Sequence, residues 1–102
     1  MVEGGEFERS VGEVVDNVVE VSVGKGFGVG EVGGVFALGQ CWGTLRSEEC
    51  EVCLRKAAKD VRGCLPNKEG RALNAGCYLR YSTHKFYNEA GDDEGKDEKG
   101  KF

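Results

Sequence analysis

The chain has 102 residues, five of them cysteines, and a formal net charge of −4. This length suits one domain with a modest core. An acidic chain lacks the concentrated basic face that nucleic-acid binding needs, so no nucleic-acid partner is expected. No stretch approaches the roughly 20 apolar residues of a membrane span. The start, Met1–Glu6, has neither the basic residues nor the apolar run of a signal peptide.

Two segments have the spacing of amphipathic helices. The first stripe consists of Phe7, Val11, Val14, Val15, Val18 and Val19. Valine favours strands, but the helical period decides the prediction here. The second stripe consists of Cys50, Cys53, Leu54, Ala57, Ala58 and Val61. Ser47 is its predicted N-cap, and Gly63 and Pro66 are predicted to end this helix.

Three segments are expected to be extended or irregular. The glycine-rich stretch 24–34 predicts a loop or a bent edge strand, and residues 35–42 predict a buried strand. Residues 71–82 alternate in polarity, which predicts one long strand. Its inner face would carry Leu73, Ala75, Cys77, Leu79 and Tyr81. Residues 85–87 are expected to return as a short antiparallel strand.

The chain is divided into a cysteine-rich domain over residues 1–87 and a tail over residues 88–102. The tail contains six acidic and three basic residues and little apolar surface. Such a composition cannot bury enough apolar area to fold, so an acidic disordered tail is predicted.

The cysteine spacing favours disulfides over a metal site. Cys41 is placed at a strand end, Cys50 and Cys53 one turn apart on a helix, and Cys77 on the inner strand face. Helix and sheet can therefore be cross-linked through the core. Zinc sites favour two C-x2-C knuckles plus histidine, whereas this chain has a single C-x2-C within a predicted helix. No metal or cofactor is expected, and an intracellular metal-binding protein is the alternative.

Two features imitate catalytic motifs. Residues 28–35 match the kinase pattern G-x-G-x-x-G-x-V. The following strand has no lysine and the chain is far too short for a kinase, so a glycine-rich connector is the better interpretation. His84 lies in a predicted turn with no nucleophile motif around it. We therefore expect no enzyme activity.

Three strings of residues resemble a known family: Phe36–Cys41, Cys50–Leu54 and Gly70–Ser82. They are similar to the ginkbilobin-type domain, also called the salt-stress and antifungal domain, whose signature is C-x8-C-x2-C. The resemblance covers roughly residues 7–87. This domain occurs in secreted antifungal proteins and in the ectodomains of plant cysteine-rich receptor-like kinases.

The resemblance implies an α+β fold in which an antiparallel sheet packs against two helices, stapled by disulfides. It implies the pairs Cys41–Cys50 and Cys53–Cys77. It also implies that Cys64 pairs with a cysteine in an N-terminal strand, which this chain, beginning at the first helix, lacks. We therefore expect a truncated copy, in which the unpaired Cys64 and the open sheet edge are two places where a dimer could form. The state of Cys64, free or joined to a second chain, is left open by the sequence.

The resemblance also implies a non-catalytic extracellular recognition module, related to stress or defence, in the apoplast or in a plasma-membrane ectodomain. The ligand would be an unidentified protein or carbohydrate. A secreted mannose-binding antifungal protein is the alternative. The family's mannose site uses an Asn, an Arg and a Glu; Arg71 matches the Arg, but Tyr81 and Ser82 stand where the Glu would be.

Four residues are the candidates for a ligand-binding surface. They are Trp42, Arg71, Tyr78 and Arg80, because exposed aromatic and arginine side chains contribute most to binding interfaces. For Trp42 the alternative is that it caps the core, since large aromatic side chains are mostly buried.

Overall fold

The computed structural model describes residues 2–87, so the tail predicted over residues 88–102 lies outside the described part. The elements, in chain order, are α1 (Val2–Lys25), β1 (Phe27–Val32), β2 (Val35–Cys41), α2 (Ser47–Arg62), β3 (Glu69–Asn74) and β4 (Cys77–Ser82). The strands form one antiparallel sheet in the order β1-β2-β4-β3. Helix α1 packs on β1 and β2, and α2 packs on β3 and β4. The predicted α+β architecture is confirmed.

Helix α1 buries the predicted valine stripe. Its five valines are at most 1% exposed; they are Val11, Val14, Val15, Val18 and Val19. Burial of a continuous apolar stripe against the sheet outweighs the modest preference of valine for strands. Phe7 is half-buried at the same face, with its ring edge-on to Tyr81.

Two glycines allow α1 to lie close to the sheet. A Cβ atom on Gly39 would stand 2.9 Å from both Ser22 Oγ and Val18 Cγ1, and one on Gly28 would stand 2.9 Å from Val21 Cγ1. Both residues therefore face the helix. The glycine-rich stretch becomes β1, an edge strand, which was one of the two predicted outcomes.

The N-cap of α2 lies one residue before the predicted N-cap, Ser47. Ser47 is the first helical residue, and the N-cap is Arg46, whose backbone is extended at φ −80° and ψ 165°. The Arg46 backbone N–H donates to Glu49 Oε1 at 2.9 Å. The Glu49 carboxylate, rather than a serine hydroxyl, thus accepts a hydrogen bond from the backbone at the start of the helix. The helix ends at Arg62, with Gly63 as its C-cap.

The predicted long strand over residues 71–82 is instead a hairpin. Strands β3 and β4 are joined by Ala75 and Gly76, with Asn74 opposite Cys77 and Gly76 at φ 109°. Directly opposite residues share a sheet face, so the alternation changes phase at the turn. Leu73, predicted to face inward, is 70% exposed.

The segment after β4 also differs from the prediction. Within residues 85–87 only Tyr87 forms a bridge, and no strand is formed. Phe86 and Tyr87 pack against Leu38 on the sheet face turned away from the helices, and the Tyr87 hydroxyl donates to the Gly30 carbonyl at 3.0 Å. The segment therefore covers part of the outer face.

Candidate binding surface

The outer face of the sheet, the one turned away from the helices, carries three rows of residues that cross all four strands. The first row is Phe27, Gln40, Tyr78 and Leu73. The second is Val29, Leu38, Arg80 and Arg71. The third is Glu31, Phe36, Ser82 and Glu69. Neighbouring side chains within a row lie about 5 Å apart, so each row forms a continuous strip.

Residues 83–87 cover the second and third rows in part. The Arg80 guanidinium lies 4.1 Å from the centre of the Phe86 ring and forms an ion pair with Glu69 at 3.1 Å. Its side chain is only 17% exposed. Arg80, a predicted ligand-binding residue, is thus held inside the domain's own contacts.

The first row is open to solvent. Phe27 is 38% exposed and Leu73 70% exposed. Tyr78, in the same row, is half-buried and packs against the cluster of Leu38, Phe86 and Tyr87. Trp42 extends β2 beyond this row, with its backbone N–H donating to the Gly76 carbonyl at 2.9 Å. Its side chain is 45% exposed, so the structure does not place it as a cap buried in the core.

Arg71 is exposed on edge strand β3, directly opposite Arg80. The two positions that stand where the family's mannose site has its carboxylate, Tyr81 and Ser82, are 0% and 1% exposed. Their side chains cannot reach a sugar bound at the surface. Only Arg71 of the expected mannose set is therefore available.

The large exposed apolar side chains of the described residues lie at one end of the domain, which we call the apolar pole. It is defined by Val21, Phe27, Trp42, Val52 and Leu73. Beside it is a groove of about 640 Å³, lined by Leu45, Glu48, Glu49, Val52, Cys53, Lys56, Asn74 and Ala75. The sequence analysis missed Phe27, Val52 and Leu73 as surface candidates. Val52 alone had a signal, because it lies off the apolar stripe of α2.

Both disulfides lie near the apolar pole. Cys41 is bonded to Cys50 and Cys53 to Cys77, with Cα–Cα distances of 5.7 and 6.1 Å. These are the pairs that the family resemblance implied. They join the start of α2 to the end of β2 and to the start of β4. The pole is therefore built on covalently fixed elements.

Cys64 is a free, half-buried thiol at the other end of the domain. A Cβ atom on Gly70 would stand 3.0 Å from its sulfur and 2.8 Å from the Tyr81 ring, so all three lie together. Among residues 2–87 no group of three or more His, Cys, Asp or Glu side chains could hold a metal ion. Over the same residues, no helix has the length and apolar character to cross a membrane.

Burial is the main cause that raises the pKa of Tyr81 above its ordinary value of 10.0, and the electrostatic interaction with nearby Cys64 adds to it. The Tyr81 hydroxyl donates to the Asn67 carbonyl at 2.8 Å. Because the folded state holds the phenol proton more tightly, this contribution to stability is complete below pH 10 and is lost as pH rises through the folded-state pKa.

We therefore expect the stability advantage of the wild type over Tyr81→Phe to be constant below pH 10 and to shrink as the pH rises above 10. Urea unfolding of both proteins across this range measures it. Tyr78→Phe, measured under the same conditions, is the matched control for the removal of a tyrosine hydroxyl. A constant advantage of Tyr81 at all pH values would contradict the assignment.

These features define a class: a small α+β domain whose helix α2 is clipped to an antiparallel sheet by two disulfides. The Salt stress response/antifungal family matches residues 2–84, and the chain belongs to this family. The resemblance read from the cysteine signature is confirmed.

Known proteins agree with this assignment. Cysteine-rich receptor-like protein kinase 42 of Arabidopsis thaliana is 55% identical over 80 residues, which are 78% of this chain and 12% of the relative. Kinase 46 of the same plant is 50% identical over 91 residues, 84% of this chain and 15% of the relative. The chain thus spans less than a sixth of the length of these two relatives.

Solved structures show the same fold. The tandem DUF26 ectodomain of the Arabidopsis thaliana cysteine-rich receptor-like protein PDLP8 matches with a TM-score of 0.73 and 29% identity, covering 81% of this chain and 43% of that one. The tandem DUF26 ectodomain of PDLP5 matches with a TM-score of 0.71 and 20% identity, covering 81% of this chain and 44% of that one.

Proposed function

We propose that this chain is a non-catalytic extracellular interaction module of the kind found in cysteine-rich receptor-like kinases. The observation that carries the proposal is the pair of disulfides fixing α2 to the sheet, in a chain 55% identical to a receptor-like kinase segment. Disulfides persist in oxidising compartments and are rare in the cytosol. The cysteines Cys41, Cys50, Cys53 and Cys77 act structurally. The family's description supports a role in stress or defence.

The module binds its partner through the apolar pole and the open first row. Trp42, Tyr78 and Arg71 are of the residue types that dominate binding energy at protein interfaces. Phe27 and Leu73 add exposed apolar area beside them. Arg80 has a positioning role, since its contacts with Glu69 and Phe86 hold β3 and the covering segment in place.

Disulfide mapping tests this function. The chain is produced through a secretory pathway, and its peptides are analysed by mass spectrometry without reduction, together with a count of free thiols. We expect secreted protein with the bridges Cys41–Cys50 and Cys53–Cys77 and a free thiol at Cys64. Retained protein with five free thiols and bound zinc would instead establish the intracellular metal-binding alternative.

A further inference from the structure

We propose that the edge of β3 and the groove beside it bind an extended segment of a partner protein, which adds to the four-stranded sheet as a further strand. The inference rests on the proposed function, because it concerns the same interaction module, and it names a second surface of that module. Three observations carry it: the backbone groups along the edge of β3, the side-chain amide of Asn74, and the order of the charges along the groove.

Strand β3 lies at an edge of the sheet. The Thr83 N–H donates to the Lys68 carbonyl at 3.2 Å, which continues the register of β3 with β4. Hydrogen-bonded pairs alternate along an antiparallel ladder, so the backbone groups of Glu69, Arg71 and Leu73 point away from β4. Among residues 2–87 these groups have no other backbone partner. A second extended backbone is the complement of such a row of donors and acceptors.

The groove lies on the helix side of this edge. Its walls are the flank of α2 from Glu48 to Lys56 and the end of the β3–β4 hairpin. Successive side chains of a strand point to opposite faces of the sheet, so every second side chain of an added strand points toward α2. Leu45 and Val52 give the groove an apolar lining. An apolar side chain of the bound segment therefore fits between them.

The Asn74 side chain lies on the same side of the sheet. Asn74 is directly opposite Cys77, which is bonded to Cys53 of α2. Its amide nitrogen is buried and has no hydrogen-bond partner among the described residues. Native structures rarely leave a buried donor unpaired, because this costs free energy. The terminal torsion of asparagine is broad, so a rotation turns the nitrogen into the groove. There a backbone carbonyl of the bound segment accepts its hydrogen bond, which a purely apolar ligand could not do.

The charges along the groove give the bound segment a direction. Glu48 and Glu49 line the groove near the start of α2, and Lys56 lines it further along the helix. Lys56 forms no ion pair among the described residues. The positions of Glu48 and Lys56 are about 12 Å apart along the helix axis, the length of roughly four residues of a strand. We expect a segment with a basic residue at the acidic end, an acidic residue beside Lys56 and apolar side chains between them.

Amide hydrogen exchange of the disulfide-mapped, full 102-residue chain tests the open edge. In the free protein the N–H groups of Arg71 and Leu73 should exchange much faster than those of Ala72 and Asn74, which donate to β4. The binding probe is a phage-displayed library of linear random peptides of about ten residues, longer than a typical strand. The selected peptides should alternate apolar and polar residues, bind with micromolar dissociation constants, and slow exchange at Arg71 and Leu73.

Two pairs of variants locate the binding. Leu73→Pro removes one outward N–H and leaves the bonds to β4 in place, since proline is tolerated where an edge strand faces solvent. It should weaken binding of the selected peptides at least about tenfold, whereas Leu73→Ala, which keeps the N–H, should change it less than about twofold. Lys56→Glu should also weaken binding. Lys25→Glu makes the same change of charge at an exposed position of α1 and should leave binding unchanged.

Other results overturn the proposal in distinguishable ways. Peptides that bind wild type and Leu73→Pro equally well would use another surface. Selected peptides with apolar residues at the helical period would be bound as helices rather than as strands. If no peptide bound a correctly bridged chain more tightly than about 1 mM, the edge would not be a binding site, while the extracellular module would remain. Wrong or absent bridges would count against the proposed function itself.

Discussion

Replacing Cys53 and Cys77 together by alanine is expected to lower the free energy of unfolding by about 3 kcal/mol. The bond closes a loop of 24 residues, so its loss frees the unfolded chain. Cys77 is fully buried, and alanine leaves no unsatisfied polar group there. The loss is a large share of the 5–15 kcal/mol typical of a domain. Urea unfolding measures it.

The matched comparison is Cys41→Ala with Cys50→Ala, which opens a loop of only 9 residues. In the loop-entropy account its cost should be smaller by somewhat less than 1 kcal/mol. Both pairs are best compared in a Cys64→Ser background, so that the free thiol cannot exchange with the remaining bond. If the shorter loop proved the costlier one, packing around the bond rather than chain entropy would control the stability.

Leu54→Ala is the second substitution with a large effect, expected to cost about 2–5 kcal/mol. Leu54 is 0% exposed at the centre of the buried face of α2. Alanine removes apolar contacts and leaves a cavity that the disulfide-fixed helix cannot easily close. Thermal or urea unfolding of the oxidised protein measures the loss.

Val52→Ala is the control for this helix. Val52 is two residues away and 71% exposed, so its truncation removes little buried area. Alanine also has the higher helix propensity. We expect a change within about 0.5 kcal/mol. A loss from Val52→Ala as large as that from Leu54→Ala would mean that α2 is packed by a different face.

The two helices could be predicted from the sequence because their signals are local. The valine stripe of α1 repeats with the helical period, and period is the strongest single-sequence signal. The same holds for the buried face of α2, from Cys50 to Val61. The spacing C-x8-C-x2-C then pointed to a family whose fold supplied the sheet and the two bridges.

The binding surface required the tertiary structure. The polarity of residues 71–82 alternates without interruption in the sequence. In the structure, the turn at Ala75 and Gly76 reverses the chain and puts Leu73 on the outer face. The sequence predicts Arg80 as a ligand-binding residue, whereas the structure places its guanidinium against Phe86 and Glu69.

Sequence by itself therefore determined the two helices, since each follows from spacing within one segment. The class of domain and its cysteine pairs came from the family that the cysteine spacing resembles. Tertiary structure alone decided which apolar residues remain outside. Val21 and Leu73 are 52 positions apart in the chain and reach the same pole because α1 and β3 both end there. Exposure is set by what packs against a side chain, and the packing partner is distant in sequence.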